Sequence, residues 1–262
     1  MAAEGEGSIR ALVRGLAVLR AINHSGSATL IEIANAADIP HPTAIRIVRT
    51  LVDLGFVERE PTRKHYRPTA LVEALSCGFQ RHDRLVRTAR EPIVALTGEI
   101  GWPLSIVTRV GGQMVSRDST VSLTSLTFNL YQPGVTLPIF GSASGEAWFA
   151  FSHPAEQAEI LAHAEASGVD PALISDFRSG EATRQIVGRG YAVGTRNPRP
   201  EGSGGNVSIS VPILVSGRIV GALTLVFFAQ AMTVSVAVER FLAQMKRTAA
   251  TIGTRLESDS TE

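Results

Sequence analysis

The 262-residue chain is 44% hydrophobic and carries a formal net charge of only +1, which places it among globular proteins and excludes collagenous or strongly charged disordered chains. A single cysteine, Cys77, excludes an intrachain disulfide and a zinc site of several thiolates. The six histidines show no pair at metal-ligand spacing, so neither a metal nor another cofactor is expected. No basic start leads into an apolar run and no apolar stretch is long enough to span a bilayer, so the expected location is cytoplasmic, without membrane association.

The near-neutral total averages two unlike parts. Residues 1–90 hold 13 Arg/Lys against 9 Asp/Glu, whereas residues 91–262 hold 12 against 15. The basic excess therefore sits at the N-terminal end, where a partner carrying phosphates would feel it, twice over in a dimer.

In chain order, Ser8 is a candidate cap for a first helix whose apolar face is Ile9, Leu12, Val13, Leu16, Leu19 and Ile22, with Gly26 near its end. Two short helices follow around a tight turn. The first, Leu30 to Ala37, has Ile33, Ala34 and Ala37 to bury. Pro40 and Pro42 hold Ile39 and His41 extended, so a helix stops near Asp38 and another starts at Pro42. In that second helix the spacing predicts a buried stripe of Ile45, Val48, Leu51 and Val52, with Thr43, Arg46, Arg49, Thr50 and Asp53 outside. Gly55 suits its left-handed end. A helix pair with arginines on its outer face is the layout of a helix-turn-helix that reads duplex DNA.

Phe56–Arg59 and His65–Arg67 read as the strands of a wing, with Arg63 and Lys64 at its tip. Alone, those two cations would be an ordinary solvated turn. Beside a reading helix they are candidate phosphate contacts. Thr69 then caps a predicted linker helix from Ala70 to about Arg87, a candidate for a dimer contact.

From about Arg90 strands and helices alternate. Glu91 to Ile100 suits a helix, Leu104–Val110 and Gln113–Arg117 a hairpin, and Ser122–Leu130 a strand. Helices are predicted near 144–151, 154–167 and 180–190. Asn206–Val215 and Arg218–Phe228 form an apolar hairpin around Ser216-Gly217, followed by a last helix capped by Thr233. The whole is an α+β protein: a winged helix-turn-helix over 8–69, a linker helix over 70–89 and an α/β domain over 90–256.

Ser142 and Ser144 open a predicted helix, where hydroxyls and free N–H groups favour an anion, although Ser142 could equally serve only as the helix cap. Arg109 and Arg117 are possible counter-charges. Gly141-Ser142-Ala143-Ser144-Gly145 looks superficially like a hydrolase elbow, but the nucleophile position is Ala143. Gly202–Gly205 lacks the lysine and the following helix of a phosphate loop. No catalytic residue is assigned. The competing class, a small-molecule-converting enzyme fused to a nucleic-acid-binding head, has no nucleophile, metal set or acid/base pair behind it.

Several segments in the same order resemble the IclR family of bacterial transcriptional regulators: VRGLAVLRAI at 13–22, TAIRIVRTLVDLGFVER at 43–59, LPIFGSASGEAWFAF at 137–151 and VPILVSGRIVGALTLVF at 211–227. Within it, GWPLSIVT at 101–108, LTSLTF at 123–128 and AQAMTVSVAVERFL at 229–242 are similar to regulators of aromatic-acid catabolism of the hydroxyphenylpropionate type. The resemblance implies a GAF-like effector domain, a homodimer or homotetramer, double-stranded operator DNA as partner and a small, aromatic organic acid as effector. DNA contacts would come from His41, Thr43, Arg46, Arg49, Thr50, Arg63 and Lys64. The effector pocket would be lined by Leu126, Asn129, Leu137, Ala143, Ser144, Ser208, Thr224 and Val226. His41-Pro42 stands where family members commonly have lysine-serine, Ser208 where many have cysteine, and the loop 194–205 has no clean counterpart to the acidic ligand found there.

Overall fold

The computed structural model describes residues 8–80, 83–126, 132–195 and 205–258. Two compact units divide between Asp83 and Arg84.

The first unit contains helix α1 (Arg10–Ser25), strand β1 (Ala28–Thr29), α2 (Leu30–Ala36), α3 (His41–Asp53), β2 (Val57–Arg59) and β3 (His65–Pro68). The strands form an antiparallel sheet in the order β1-β3-β2, so the wing has a third strand that its two-residue length hid from periodicity. Its core is Val18, Ile22, Ala28, Ile33, Val48 and Val57.

Local chemistry sets the helix pair. The Thr29 hydroxyl accepts from the Glu32 N–H while the Glu32 carboxylate takes the Thr29 N–H at 2.8 Å, a reciprocal capping box. Pro40, extended, precedes α3, and Pro42 falls in its first turn. At the far end Gly55 takes φ 80°, and the Phe56 and Gly55 N–H groups return to the carbonyls of Leu51 and Val52, closing the helix with a Schellman motif.

Two expectations fail here. Helix α1 is capped by no side chain, since Ile9 rather than Ser8 occupies the cap position. Its predicted apolar face is buried only in the second half: Ile22 is fully enclosed and Leu19 packs against the core, with Val18, not expected there, buried beside them, whereas Ile9, Leu12, Val13 and Leu16 are exposed. A 16-residue helix is roughly 24 Å long and outruns the small core beneath it. In α3 the buried positions are Ala44 and Val48, with Ile47, Leu51 and Val52 packed beside them, and Ile45 lies outside.

The predicted helix from Ala70 to Arg87 is interrupted. A 3-10 segment, Ala70–Leu75, capped by Thr69, is followed by the single turn α4 (Cys77–Gln80). The second unit then opens with α5 (Arg84–Ile100), which carries Pro92 within it.

In that unit β4 (Leu104–Val110), β5 (Gln113–Ser119), β6 (Thr136–Pro138), β7 (Ala192–Thr195), β8 (Asn206–Val215) and β9 (Arg218–Phe228) form an antiparallel sheet in the order β6-β5-β4-β9-β8-β7. Between β6 and β7 run α6 (Ala143–Phe151), α7 (Pro154–Ala166), α8 (Pro171–Arg178) and α9 (Glu181–Arg189), and α10 (Val234–Ser258) closes the chain. Ser122 to Leu126 form no strand, contrary to the expectation for 122–130; Val121–Leu123 is a 3-10 turn instead. Residues 127–131, the remainder of that predicted strand, lie outside the described residues, as do 196–204, most of the glycine-rich loop.

Each face of the sheet has its own core. On one, Leu104, Ile106, Ile209, Val211, Leu223, Leu225 and Phe227 meet α5 and the Phe241, Met245 and Ile252 stripe of α10. On the other, Val107, Met114 and Val226 meet Phe149 of α6 and Phe177 of α8. Successive strand residues alternate faces. Ser105, Ser208 and Thr224, standing between apolar residues of the first face, are thereby directed to the second, under α6.

Candidate functional site

On α3 the residues outside the core form two adjacent stripes at helical spacing. One is Pro42, Ile45 and Arg49; the other is Thr43, Arg46, Thr50 and Asp53. Arg46 and Arg49 are exposed and have no side-chain ion pair among the described residues, so both guanidinium groups face solvent ready for an anionic partner. His41 is exposed at the first position of the helix, and Thr43 is half-buried. The Thr50 hydroxyl donates to the Arg46 carbonyl at 3.0 Å. Its proton is therefore spent, and only its lone pairs face outward, which suits a base amine better than a phosphate oxygen.

The wing tip is held from behind. Glu60 N–H donates to the His65 carbonyl at 2.9 Å, and the Ser27 hydroxyl donates to the Glu60 carboxylate at 2.5 Å, which pins the hairpin base to the loop before β1. Arg67 pairs with Glu58 across the hairpin at 2.6 Å. Arg63 and Lys64, between these anchors, are exposed. Basic side chains thus stand on both the helix and the wing tip of one unit, an arrangement chemically able to meet the phosphates and base edges of a duplex.

The second unit encloses a cavity of about 20 Å³ at the N-terminus of α6, room for roughly one water. Its floor is the sheet: Ser105 and Val107 of β4, Ser116 of β5, Leu137 and Pro138 of β6, Ser208 of β8 and Thr224 of β9. Gly141, Ser142, Ala143 and Ser144 form its wall. Four of the floor residues, Ser105, Ser116, Ser208 and Thr224, carry hydroxyls. Two of them are tied to hydroxyls outside the cavity: Ser105 donates to Ser119 at 3.3 Å, and Thr224 shares a 2.9 Å bond with Ser210, the four residues standing opposite one another across β5, β4, β9 and β8.

Two lining hydroxyls are different. Ser116 and Ser144 are 2% and 1% exposed, and neither hydroxyl oxygen has a hydrogen-bond partner. Buried polar groups are normally paired, so each of these two hydroxyls can still take a polar partner. The Ser142 hydroxyl caps α6, accepting from Gly145 N–H at 3.2 Å and donating to the Pro138 carbonyl at 2.5 Å, which resolves its alternatives in favour of the cap. The first N–H groups of α6 have no intrahelical partner and bring the positive end of the helix dipole to the same place.

Glycines make the wall possible. A Cβ on Gly145 would lie 2.1 Å from the Ile139 carbonyl oxygen, and one on Gly194 would lie 2.4 Å from the Ala143 nitrogen. Next to them, burial raises the Glu146 carboxyl above its ordinary value, with the Gly141 N–H at 3.1 Å and the charge of Arg189 opposing that rise.

Of the effector residues expected from sequence, Leu137, Ala143, Ser144, Ser208 and Thr224 come together on this cavity. Val226 is buried in the core under α6 and does not line it. Leu126 is 39% exposed beyond a 3-10 turn, and Asn129 lies outside the described residues. Arg109 is no counter-charge for the cavity: it binds Glu156 at 3.0 Å and Glu159 at 3.4 Å. Arg117 donates to Thr108 at 3.0 Å and is likewise not among the lining residues. Ser105 and Ser116 escaped notice because the strands that carry them read as ordinary alternating segments, and only their two-sided burial distinguishes them.

Among the described residues no three His, Cys, Asp or Glu side chains are grouped to hold a metal, and no helix is long and apolar enough to cross a membrane. Residues 11–61 match the IclR helix-turn-helix domain. The HTH-type transcriptional regulator BhcR of Paracoccus denitrificans (strain Pd 1222) is 28% identical over 203 residues, 76% of this chain and 72% of that protein. The fold is shared with an IclR family transcriptional regulator from Brucella abortus, at a TM-score of 0.64 and 22% identity over 95% of this chain and 93% of the other. It is shared equally with an IclR homolog from Microbacterium hydrocarbonoxydans complexed with 4-hydroxybenzoate, at a TM-score of 0.64 and 23% identity over 95% and 99% of the two chains.

Proposed function

We propose that this chain is a DNA-binding transcriptional regulator of the IclR type, and that its operator binding is controlled by a small carboxylate, aromatic in its body, bound in the cavity at the start of α6. The observation that carries this reading is the pair of buried, unpartnered hydroxyls, Ser116 and Ser144, on one cavity. With the free N–H groups at the head of α6, they offer several donors and no cation. A carboxylate can be held by such donors alone, as oxyanions are at helix N-termini. The apolar lining residues Val107, Leu137 and Ala143 suit a flat hydrocarbon body. The complex of the Microbacterium relative with 4-hydroxybenzoate supports the same ligand class.

At about 20 Å³ the cavity accepts a benzoate only by moving its walls apart. The ligand thus favours an expanded arrangement over the closed one, and that difference in affinity is what a regulatory ligand needs. In a dimer or tetramer, the expansion would change the spacing of paired reading helices. Arg46 and Arg49 would contact bases, with His41, Thr43 and Thr50 beside them, and Arg63 and Lys64 would hold phosphates.

A thermal-shift screen of the purified protein with 4-hydroxybenzoate, related hydroxylated aromatic acids and their uncharged amides tests the ligand class. A carboxylate that binds raises Tm as its concentration passes Kd, and its amide does not. Equal shifts from acids and amides, or none from any acid, would refute the carboxylate reading.

A further inference from the structure

Ile45 stands where a core residue is expected and is not one. It is 41% exposed, and the side chains packed against the core of the first unit include Ile47, Leu51 and Val52 but not Ile45. It lies between Pro42 and Arg49 on one outer stripe of α3, with exposed Arg46 as its sequence neighbour. A branched apolar side chain here gains nothing for the helix, where alanine would be better. It also leaves apolar surface in water on the face that carries the free guanidinium groups.

An α-helix fits the major groove, where thymine alone among the four bases displays a methyl group. An isoleucine can neither donate to nor accept from the nitrogen and oxygen atoms of base edges, so the one base feature it recognises favourably is that methyl. We propose that Ile45 is a specificity-determining residue that packs on the 5-methyl group of a thymine adjacent to the base contacted by Arg49. This rests on the assignment of α3 as the DNA-reading helix.

The test begins by enriching binding sites for the full-length protein from a random-sequence duplex library. Each thymine of the enriched site is then replaced singly by deoxyuridine, which removes the methyl and nothing else. One position per half-site should lose about four-fold in affinity, the worth of one buried methyl. Ile45→Ala should bind the thymine and uracil duplexes equally at that position and keep the penalties of base changes elsewhere. Because the side chain is outside the core, its Tm should stay within about 2 °C of the parent. If no uracil substitution weakens the parent protein, or if Ile45→Ala retains the same methyl dependence, the inference fails while DNA reading stands. If no sequence is enriched, the reading assignment fails and takes the inference with it.

Discussion

Ser116 on β5 and Ser144 on α6 present buried, unpartnered hydroxyl groups to the same cavity, although 28 positions separate them in the chain. Neither hydroxyl bonds another protein group, so neither contributes a hydrogen bond to the fold. Ser144→Ala should leave Tm unchanged or raise it. The same change should weaken carboxylate binding by about 10- to 150-fold, corresponding to the ~1.5–3 kcal/mol of a lost hydrogen bond to a charged group. Calorimetric titration of the two proteins with an acid found by thermal shift reads both effects; a lower Tm with unaltered affinity would make Ser144 a structural residue only.

The approach of α6 to Ile139, the residue that follows β6, depends on the missing side chain of Gly145. Gly145→Ala places a Cβ against the backbone of Ile139, and overpacking of that kind costs ~1–3 kcal/mol. Gly188, within α9, offers the control, since a Cβ there meets nothing within 4 Å. Gly188→Ala should stabilise by ~0.5–1 kcal/mol through helix propensity. Urea denaturation of both variants distinguishes them by the sign of the change in midpoint.

Glu146 and Glu32 should give opposite pH signatures. Burial raises the Glu146 value above its ordinary 4.5, so its contribution to stability is full below 4.5 and is lost as pH rises through the folded value. Glu146→Gln should therefore be the more stable protein at neutral pH and lose that advantage in acid. For Glu32, the Thr29 N–H and hydroxyl lower the value below 4.5; its contribution is present above 4.5 and is lost as pH falls through the folded value. Glu32→Gln should flatten that acid limb. Denaturation midpoints measured from pH 3 to pH 8 on each variant check both signs.

Helix and wing should separate by what they lose. If Arg46 holds a guanine through two hydrogen bonds, Arg46→Ala costs ~1–3 kcal/mol and relaxes one base position. Arg63→Ala and Lys64→Ala should weaken binding to every sequence alike and each reduce the salt slope by about one. Anisotropy titrations on the enriched site at several salt concentrations resolve the two patterns, and a sequence-independent loss for Arg46→Ala would remove its role as a reader.

What sequence reveals here follows the strength of local signals. The Pro40 and Pro42 turn, Gly55 and the long hairpin around Ser216-Gly217 act through backbone restriction or long apolar runs, and all are visible in one dimension. On α3 the apolar spacing points to Ile45, which is exposed, and away from Ala44, which is fully buried but carries little hydrophobic weight. Strands β1, β6 and β7, of two to four residues, are too short for alternation to register. The cavity was legible at α6, where Ser142 and Ser144 announce a helix start, and illegible at Ser105 and Ser116. Their importance arises only when β4 and β5 pair beneath that helix.

Coupling between the cavity and the reading surface is tested most directly by measuring the affinity of the purified protein for its enriched operator with and without a saturating carboxylate that binds it. Allosteric control predicts a change of about 5- to 150-fold in either direction, abolished by Ser144→Ala at the same acid concentration. An operator affinity that is the same with the acid bound and without it would contradict ligand control of this regulator.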